Sequence, residues 1–409
     1  MSPIAPPLVV LAHASVLDRG GYARRVIDCA RAARAALDGA AVRVLSIESP
    51  RRRADRAASE EVAGELRASG AEFEIVPSWP RRRGLAALSD GLAARAIAGR
   101  LRRCGAALVH AHGPRAAATA LRSARGTCVR VVIDVHGDRA AEARLDRGEA
   151  DDAATPPDAV EARAVASADG VIYASDALSR RYPPRAGAPS GVVPCLVNTS
   201  RVRVDIDAET TRIAMRRRLG LSGDEWIAAY AGSLAPWQEV PRIMALARHL
   251  IERVPQFRLL FLTPERERAI AMLRAGGLAE GRFHVLSPAS SEVVDTLLAA
   301  DAGLLLRRPC VANAVAFPTK AAEYLAAGLA IVTTEAVEAI VGLLTRRPVA
   351  GIVVPWAAED DVMAARLAGA TRPDSPDERA ARRAIAREEL SNAAAVPVYR
   401  RVYGALPAR

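Results

Sequence analysis

The sequence predicts two doubly wound α/β domains, each a parallel sheet with helices on both faces. The chain has 409 residues, more than one hydrophobic core usually organises. Short apolar runs alternate with longer helical patterns from end to end, which is typical of parallel sheets. A Pro- and Gly-containing stretch over residues 183–194 separates two such sets. We therefore expect an N-terminal domain over 1–190 and a C-terminal domain over 191–385. Residues 386–409 are expected to form a helix returning to the first domain.

The first domain is predicted from apolar runs of four to six residues with helical patterns between them. The helix over Tyr22–Leu37 places Ala, Val and Ile on one face. The predicted strands are Leu8–Leu11, Val42–Ile47, Phe73–Val76, Ala107–His110, Val129–Ile133 and Gly170–Ala174.

The second domain repeats the alternation. Its predicted strands are Trp226–Tyr230, Arg258–Leu262, Arg282–Leu286, Ala302–Leu306, Ala330–Thr333 and Gly351–Val354. Its predicted helices are Pro241–Arg253, Pro264–Ala275, Ser291–Ala300 and Thr319–Ala327. Two such domains facing each other leave a cleft at the carboxyl ends of their strands, where ligands of these sheets bind.

Composition disfavours several classes of protein. No apolar run of 18 residues without charge occurs, and no basic region precedes the first apolar run, so neither a spanning helix nor a signal peptide is expected. The five cysteines form no C-x-x-C pair and no Cys/His cluster, which argues against a disulfide framework and a zinc site. A reducing cytoplasm is the expected compartment.

The net charge of +11 lies in the first third of the chain. Residues 1–130 hold 22 Arg against 11 acidic residues, whereas the remainder holds 35 basic and 35 acidic residues. Such a basic region fits an anionic membrane surface or an anionic substrate, and a solvated surface is an equally good interpretation. Nucleic acid is the least favoured partner, because the Arg clusters lack interleaved aromatic residues. These clusters are Arg51–Arg53, Arg81–Arg83 and Arg102–Arg103.

The most informative stretch follows the predicted strand Ala302–Leu306. A polar loop leads into a helix that starts near Pro318 or Thr319, since Pro is favoured in the first turn and Thr can cap it. Gly328 stands where this helix would stop. The helix N-terminus offers free backbone N–H groups and a positive dipole end, which together suit a phosphate.

Lys320 lies in the first turn of that helix and is the only lysine, the other 56 basic residues being arginine. A first-turn cation is unfavourable for a bare helix, which indicates that an anion compensates it. A lone Lys among arginines also suggests that the compact ammonium matters there. The other interpretation is that this lysine stands on a helix surface by chance and has no specific role. Glu323, one turn on, can accept hydrogen bonds from ribose hydroxyls.

Residues 300–334 resemble the donor-binding signature of GT-B-fold glycosyltransferases, especially the retaining glycosyltransferase family 4. Further segments agree in order, and the resemblance spans most of residues 8–345. These segments are Asp18–Gly21, Leu108–Gly113, Ile133–Gly137, Glu161–Ser175, Pro194–Asn198 and Tyr230–Leu234.

The resemblance implies transfer of a sugar, with retained configuration, from a nucleotide diphosphate-sugar, with UDP the commonest carrier in the family. It implies catalytic roles for His136, Lys320 and Arg307, with His136 touching the transferred sugar or the acceptor. A structural histidine at a strand end is the alternative for His136. The implied donor-binding residues are Gly20, Gly21, Gly232, Ser233, Asn313, Pro318, Thr319 and Glu323. His112 is expected to pack beside Gly113, and His110, His249 and His284 are expected to be structural or exposed.

Two departures from the family leave alternatives open. The first of its two glutamates is replaced by Val315, and the loop after Gly232 carries neither the usual Arg nor Lys. A GT-B sugar-nucleotide epimerase and a non-catalytic GT-B binding partner therefore remain as alternatives. The one D-x-D pair, Asp205 and Asp207, follows the domain join, and no phosphate-binding G-x-x-x-x-G-K-[ST] loop occurs. We expect no metal and no cofactor beyond the nucleotide-sugar co-substrate.

Overall fold

The computed structural model describes residues 7–13, 16–18, 20–49, 55–78, 86–149, 151–152, 155–198, 205–370 and 375–407. Arg19 and the clusters Arg51–Arg53 and Arg81–Arg83 lie outside these ranges. For residues 205 and 206 the backbone is described but the side chains are not. The chain divides into two compact units. Unit 1 comprises Met1–Gly137, Pro156–Leu196 and Asn392–Arg409, and unit 2 comprises Asp138–Thr155 and Val197–Ser391.

Unit 1 is built on a seven-stranded parallel sheet in the order β3-β2-β1-β4-β5-β6-β7. Its strands are β1 Leu8–His13, β2 Val42–Glu48, β3 Ala71–Pro77, β4 Leu108–His112, β5 Arg130–Val135, β6 Gly170–Tyr173 and β7 Ser190–Val192. Its helices are α1 Gly21–Ala36, α2 Arg56–Ala68, α3 Ala86–Cys104, α4 Gly113–Ser123, α6 Ala159–Ser167, α7 Asp176–Arg181 and α17 Asn392–Gly404. The buried core joins β1, β2 and β4 to α1, α2 and α17.

Unit 2 is built on a six-stranded parallel sheet in the order β10-β9-β8-β11-β12-β13. Its strands are β8 Trp226–Ala231, β9 Phe257–Leu262, β10 Phe283–Leu286, β11 Ala302–Leu305, β12 Ala330–Thr334 and β13 Gly351–Val354. Its helices are α5 Arg139–Asp146, α8 Asp205–Arg218, α9 Val240–Arg253, α10 Arg266–Ala275, α11 Val293–Leu297, α12 Val311–Ala314, α13 Thr319–Ala326, α14 Glu338–Arg346, α15 Asp360–Ala370 and α16 Pro376–Glu389.

The predicted fold class is confirmed, because both sheets are parallel and carry helices between successive strands. Every predicted strand is present, with ends shifted by at most two residues. The strand β7 was not predicted, since its three residues lie inside the segment interpreted as the domain join. It pairs with β6 at the sheet edge, where a short strand beside prolines is tolerated.

The division of the chain differs in detail from the predicted one. Unit 1 continues to Leu196, six residues beyond the predicted boundary. Residues 138–155 group with unit 2, because Ala141 and Leu145 of α5 pack against Ala312 of α12. A carboxylate oxygen of Asp151 also accepts a hydrogen bond of 2.8 Å from the backbone N–H of Ala312. Residues 392–409 group with unit 1.

None of the described helices is both long enough and apolar enough to cross a membrane.

Candidate functional site

Lys320 lies in unit 2 beyond the carboxyl ends of the central strands. It is the second residue of α13 and is only 6% exposed. Its Nζ donates a hydrogen bond of 2.7 Å to Oε1 of Gln238 and stands 4.0 Å from the centroid of the Tyr230 ring. A neutral amide oxygen and an aromatic face therefore solvate the ammonium in place of water.

Gly232, the first residue after β8, has a φ of +145°, a conformation that favours glycine. A Cβ atom at this position would lie 3.0 Å from Nζ of Lys320 and 3.2 Å from the hydroxyl of Tyr230. The absent side chain thus leaves room for the lysine to reach the loop. The adjoining Ser233 contributes a backbone carbonyl that accepts a hydrogen bond from the Tyr230 hydroxyl.

Arg307 is the second buried cation of this site, at 4% exposure. Its backbone N–H donates to Oγ1 of Thr334 at 3.1 Å, and its guanidinium donates to the carbonyl of Trp237. Burial lowers its pKa from the usual value. Burial also holds the pKa of Lys320 well below its usual value, with a further lowering by Arg307 that Glu323 opposes. Among the residues that the structure describes, no carboxylate forms an ion pair with either cation.

The start of α13 corrects one expectation. Pro318 is the N-cap and Thr319 the first helical residue, and no side chain caps this end. Thr319 was expected to cap the helix, but its position inside the first turn prevents this, since a cap residue lies before that turn. At the other end, Gly328 adopts a φ of +80° and terminates the helix as predicted.

Glu323 is half-buried and lies one turn after Lys320. The neighbouring Tyr324 fixes the helix on the sheet, because its hydroxyl donates to the carbonyl of Leu304 at 3.1 Å and accepts from the N–H of Ala231 at 3.0 Å. Asn313 is buried in α12, and its amide donates to the carbonyl of Arg308 at 3.0 Å. This hydrogen bond therefore helps to fix the loop that carries Arg307 and Arg308.

His136 of unit 1 follows β5 with 15% of its side chain exposed. Its Nδ1 lies 3.4 Å from Oδ1 of Asp134, and its ring packs on Tyr22 with centroids 5.2 Å apart. A Cβ atom at Gly113, whose φ is +76°, would lie 3.6 Å from the ring. Gly113 thus lies close to the His136 ring; that His112 packs beside Gly113 stays a prediction.

The other predicted residues of unit 1 lie at the start of α1. Gly20 is its N-cap and Gly21 its first residue, and both are exposed. The φ of Gly20 is −84°, and a Cβ atom there would meet no described atom within 4 Å. Neither backbone conformation nor packing within the described chain thus demands glycine at position 20. His110, in contrast, is fully buried and structural, as predicted.

Part of the chain matches a glycosyltransferase family in sequence, and the whole chain resembles solved structures in fold. Residues 19–201 match the family described as Glycosyltransferase Family 4. No curated protein sequence matches the chain significantly.

Several solved structures resemble the chain over nearly their whole length. Sucrose-phosphate synthase from Thermosynechococcus elongatus has a TM-score of 0.70 at 16% identity, with 98% of this chain and 100% of that chain covered. HepE of Anabaena, in complex with UDP-glucose, has a TM-score of 0.69 at 17% identity, with 97% and 99% covered. A glycosyltransferase from Rickettsia africae ESF-5 has a TM-score of 0.67 at 10% identity, with 97% and 98% covered.

The chain has the GT-B fold. The resemblance to glycosyltransferase family 4 is confirmed by the match over residues 19–201 and by this fold. Together they support a glycosyltransferase activity.

Sequence reasoning missed two partners of Lys320 in this GT-B chain, Gln238 and Tyr230. The sequence shows that the loop after Gly232 lacks the usual Arg and Lys, but it does not show that Gln238 of this loop contacts Lys320. The signal was the polar side chain of Gln238 in the loop following the central strand. Its contact with Lys320 depends on the approach of α13 to that loop, which spacing does not reveal.

The next residue, Glu239, has a φ of 51°, an uncommon left-handed conformation for a residue other than glycine. Burial raises the pKa of its carboxyl, while Arg308, whose Nε lies 3.2 Å away, opposes the rise. Glu239 lines an open pocket of about 540 Å³ together with Arg242 and Trp356. None of the predicted site residues lines this pocket, so we place the candidate site at Lys320 instead.

Two groups of described residues have the composition of a metal site. One is a cluster of Cys29, His110 and His112 that the sequence did not predict, and Nδ1 of His110 already forms a hydrogen bond of 2.7 Å with the Tyr403 hydroxyl.

In the other group, the candidate ligand atoms of His112, Asp134 and His136 lie within 4.8 Å of one another. Both carboxylate oxygens of Asp134 already accept hydrogen bonds from Arg25, at 2.6 and 3.1 Å. A metal ion would have to displace this guanidinium, so the residues present fit a metal poorly. That the protein needs no metal or cofactor stays a prediction.

Proposed function

We propose that this GT-B chain is a retaining glycosyltransferase whose unit 2 binds a nucleotide diphosphate-sugar. The observation that carries the proposal is a pair of buried cations: Lys320 in the first turn of α13, and Arg307, whose charge acts on it. Neither cation has a carboxylate ion-pair partner among the described residues. Buried charges are normally paired, so this arrangement favours an anion as the missing partner. A diphosphate has the charge and oxygen acceptors to satisfy both cations and the helix N–H groups.

The remaining roles follow from that placement. The phosphates lie against Arg307, Lys320 and the backbone of Pro318 and Thr319, and Glu323 binds the ribose. UDP is the proposed carrier, since the HepE structures of similar fold contain UDP and UDP-glucose.

In unit 1, the exposed start of α1 at Gly20 and Gly21 allows close approach of a ligand, and His136 contacts the transferred sugar or the acceptor. The proposed acceptor is anionic or lipid-linked, because residues 1–130 carry the whole net positive charge.

Transfer breaks the bond from the anomeric carbon to the diphosphate oxygen and forms one to an acceptor hydroxyl, whose proton passes to the departing diphosphate. The cations at Lys320 and Arg307 stabilise the negative charge that develops on the leaving group. We propose that these side chains and the helix dipole replace a metal in this step.

The test is calorimetric titration with UDP and GDP of the wild type and of Lys320→Ala and Glu323→Ala. We expect each substitution to raise the Kd by at least about tenfold, which corresponds to one lost charge-assisted contact. Arg248→Ala and Glu267→Ala, at exposed positions of unit 2, serve as matched controls and should leave the Kd unchanged. Unchanged affinity in both site variants would show that the donor site lies elsewhere.

Turnover separates the alternatives. A transferase consumes the donor quickly only with an acceptor, whereas an epimerase converts it alone. A GT-B chain that folds and binds UDP but turns over no nucleotide sugar with any acceptor would be a non-catalytic binding partner.

A further inference from the structure

The fully buried carboxylate of Asp134, the penultimate residue of β5, is the polar centre of unit 1. The side chains that face it are Arg25, His110, His112 and His136. Arg25 provides two hydrogen bonds, and the histidine nitrogens lie 3.4 to 4.0 Å from the carboxylate oxygens. The resemblance assigns no function to Asp134, and burying a carboxylate this deeply is costly unless it is paired.

Arg25 fixes this carboxylate in one orientation. Its Nε and Nη2 donate to the two oxygens of Asp134, and its Nη1 donates to the carbonyls of Val193 and Pro194 at 3.0 and 3.1 Å. All three nitrogens of the guanidinium are therefore engaged. The pairing holds the pKa of Asp134 well below its usual range although burial opposes this, so the carboxylate is ionised.

The ionised carboxylate is an acceptor only, which determines what it can do to the His136 ring. The ring nitrogen that faces it, Nδ1, is buried and 3.4 Å from Oδ1. A proton on Nδ1 is attracted by the carboxylate, whereas a lone pair there is repelled. Tyr22 packs against the ring, and the absence of a side chain at Gly113 leaves room for it.

We propose that Asp134 is a positioning residue that holds neutral His136 as the Nδ1–H tautomer and leaves the lone pair of Nε2 to accept a hydrogen bond from a sugar hydroxyl. Arg25 acts through Asp134 by preventing rotation of the carboxylate. The ligand class, a hydroxyl of the donor sugar or of the acceptor, rests on the proposed function. The tautomer itself is a property of unit 1 and does not depend on that function.

The experiment is ¹⁵N–¹H NMR of the histidine side chains at a pH where His136 is neutral, with its signals assigned by their loss in His136→Gln. The wild type should show mostly the Nδ1–H tautomer. Asp134→Asn offers an amide N–H to the same ring nitrogen and should invert the preference to Nε2–H. Asp176→Asn, at an exposed position of unit 1, is the matched control and should leave the tautomer unchanged.

A purely structural role would change stability without changing the tautomer. The wild-type spectrum decides the question even if Asp134→Asn does not fold, because an Nε2–H tautomer there overturns the proposal. UDP titration of folded Asp134→Asn should give a Kd within twofold of wild type, since Lys320 and Glu323 are intact. Loss of UDP binding in Lys320→Ala tests the proposed function separately, so failure of one idea is distinguishable from failure of the other.

Discussion

At the scale of single residues, Lys320 shows how far sequence and structure agree. Its uniqueness among 57 basic residues predicts a specific role, and the structure buries it where the charge of Arg307 lowers its pKa. Gln238 gives its Nζ a neutral acceptor rather than a counter-ion. When protonated, Lys320 therefore has no carboxylate counter-ion among the described residues, and an anionic ligand would supply one.

Exchange of this neutral acceptor for a carboxylate gives the first residue-scale prediction. Gln238→Glu should pair with Lys320 internally, raise the Tm of the unliganded protein and weaken UDP binding by at least about tenfold, because the carboxylate competes with the diphosphate. Thermal unfolding and calorimetric titration measure the two effects. Gln256→Glu changes the other glutamine, which is exposed, and is the matched control. Tighter UDP binding in Gln238→Glu would contradict the assignment.

The lowered pKa of Lys320 predicts a pH dependence of UDP binding. Between this lowered pKa and the usual value of 10.5, the free protein holds the amine neutral, whereas a bound diphosphate favours the ammonium. Binding should therefore take up a proton, and affinity should fall as the pH rises through this window. Titrations at a series of pH values below 10.5, each in buffers of different ionisation enthalpy, measure the uptake.

The lowered pKa of Lys320 also determines how the free energy of unfolding changes with pH. In that window the unfolded chain binds more protons at Lys320 than the folded one does, so this group's contribution to the free energy of unfolding increases with pH. Lys320→Met should remove both the proton uptake and this contribution. Equal proton uptake by wild type and Lys320→Met would show that another group titrates.

At the scale of elements, the placement of α13 depends on its contacts more than on its local signals. The sequence predicts its extent to within one residue, since apolar spacing and Gly328 are local features. Its N-terminus lacks the predicted Thr cap, and Tyr324 instead anchors it to β8 and β11. The absence of Cβ at Gly303, where such an atom would lie 2.3 Å from the Tyr324 ring, permits that approach.

The C-terminal helix α17 gives the element-scale prediction, because it completes the core of unit 1. Tyr403 donates or accepts a hydrogen bond of 2.7 Å with Nδ1 of His110, Tyr399 packs on the same ring, and Asn392 donates to the carbonyl of Asp28. Deletion of residues 392–409 should destabilise unit 1 by more than about 3 kcal/mol, as for the removal of buried aromatic side chains.

Hydrogen exchange measures this effect strand by strand. Amides of β1 and β4 should lose protection in the deletion variant, whereas β8 and β11 of unit 2 should keep theirs. Tyr403→Phe removes only one hydroxyl and should lower the free energy of unfolding by about 1 kcal/mol. It serves as a milder variant for comparison with the deletion. Full protection of β1 and β4 after the deletion would show that α17 is dispensable.

At the scale of the whole molecule, the sequence predicts the two sheets because buried parallel strands appear as apolar runs whatever their neighbours. It does not predict that residues 138–155 group with unit 2. That grouping rests on α5 against α12 and on Asp151 at the N–H of Ala312, contacts between segments more than 150 residues apart in the chain. Local pattern contains no information on such pairings.

The sequence by itself determined the fold class, the order of the strands along the chain, the family resemblance and the position of Lys320. Each of these features follows from residue spacing, apolar periodicity or the use of one residue type. Only the tertiary structure decided which side chains meet: Gln238 and Tyr230 at Lys320, and Arg25 and Asp134 behind His136. The physical reason is that burial and charge pairing act between residues distant in sequence, and the folded chain alone brings them within reach.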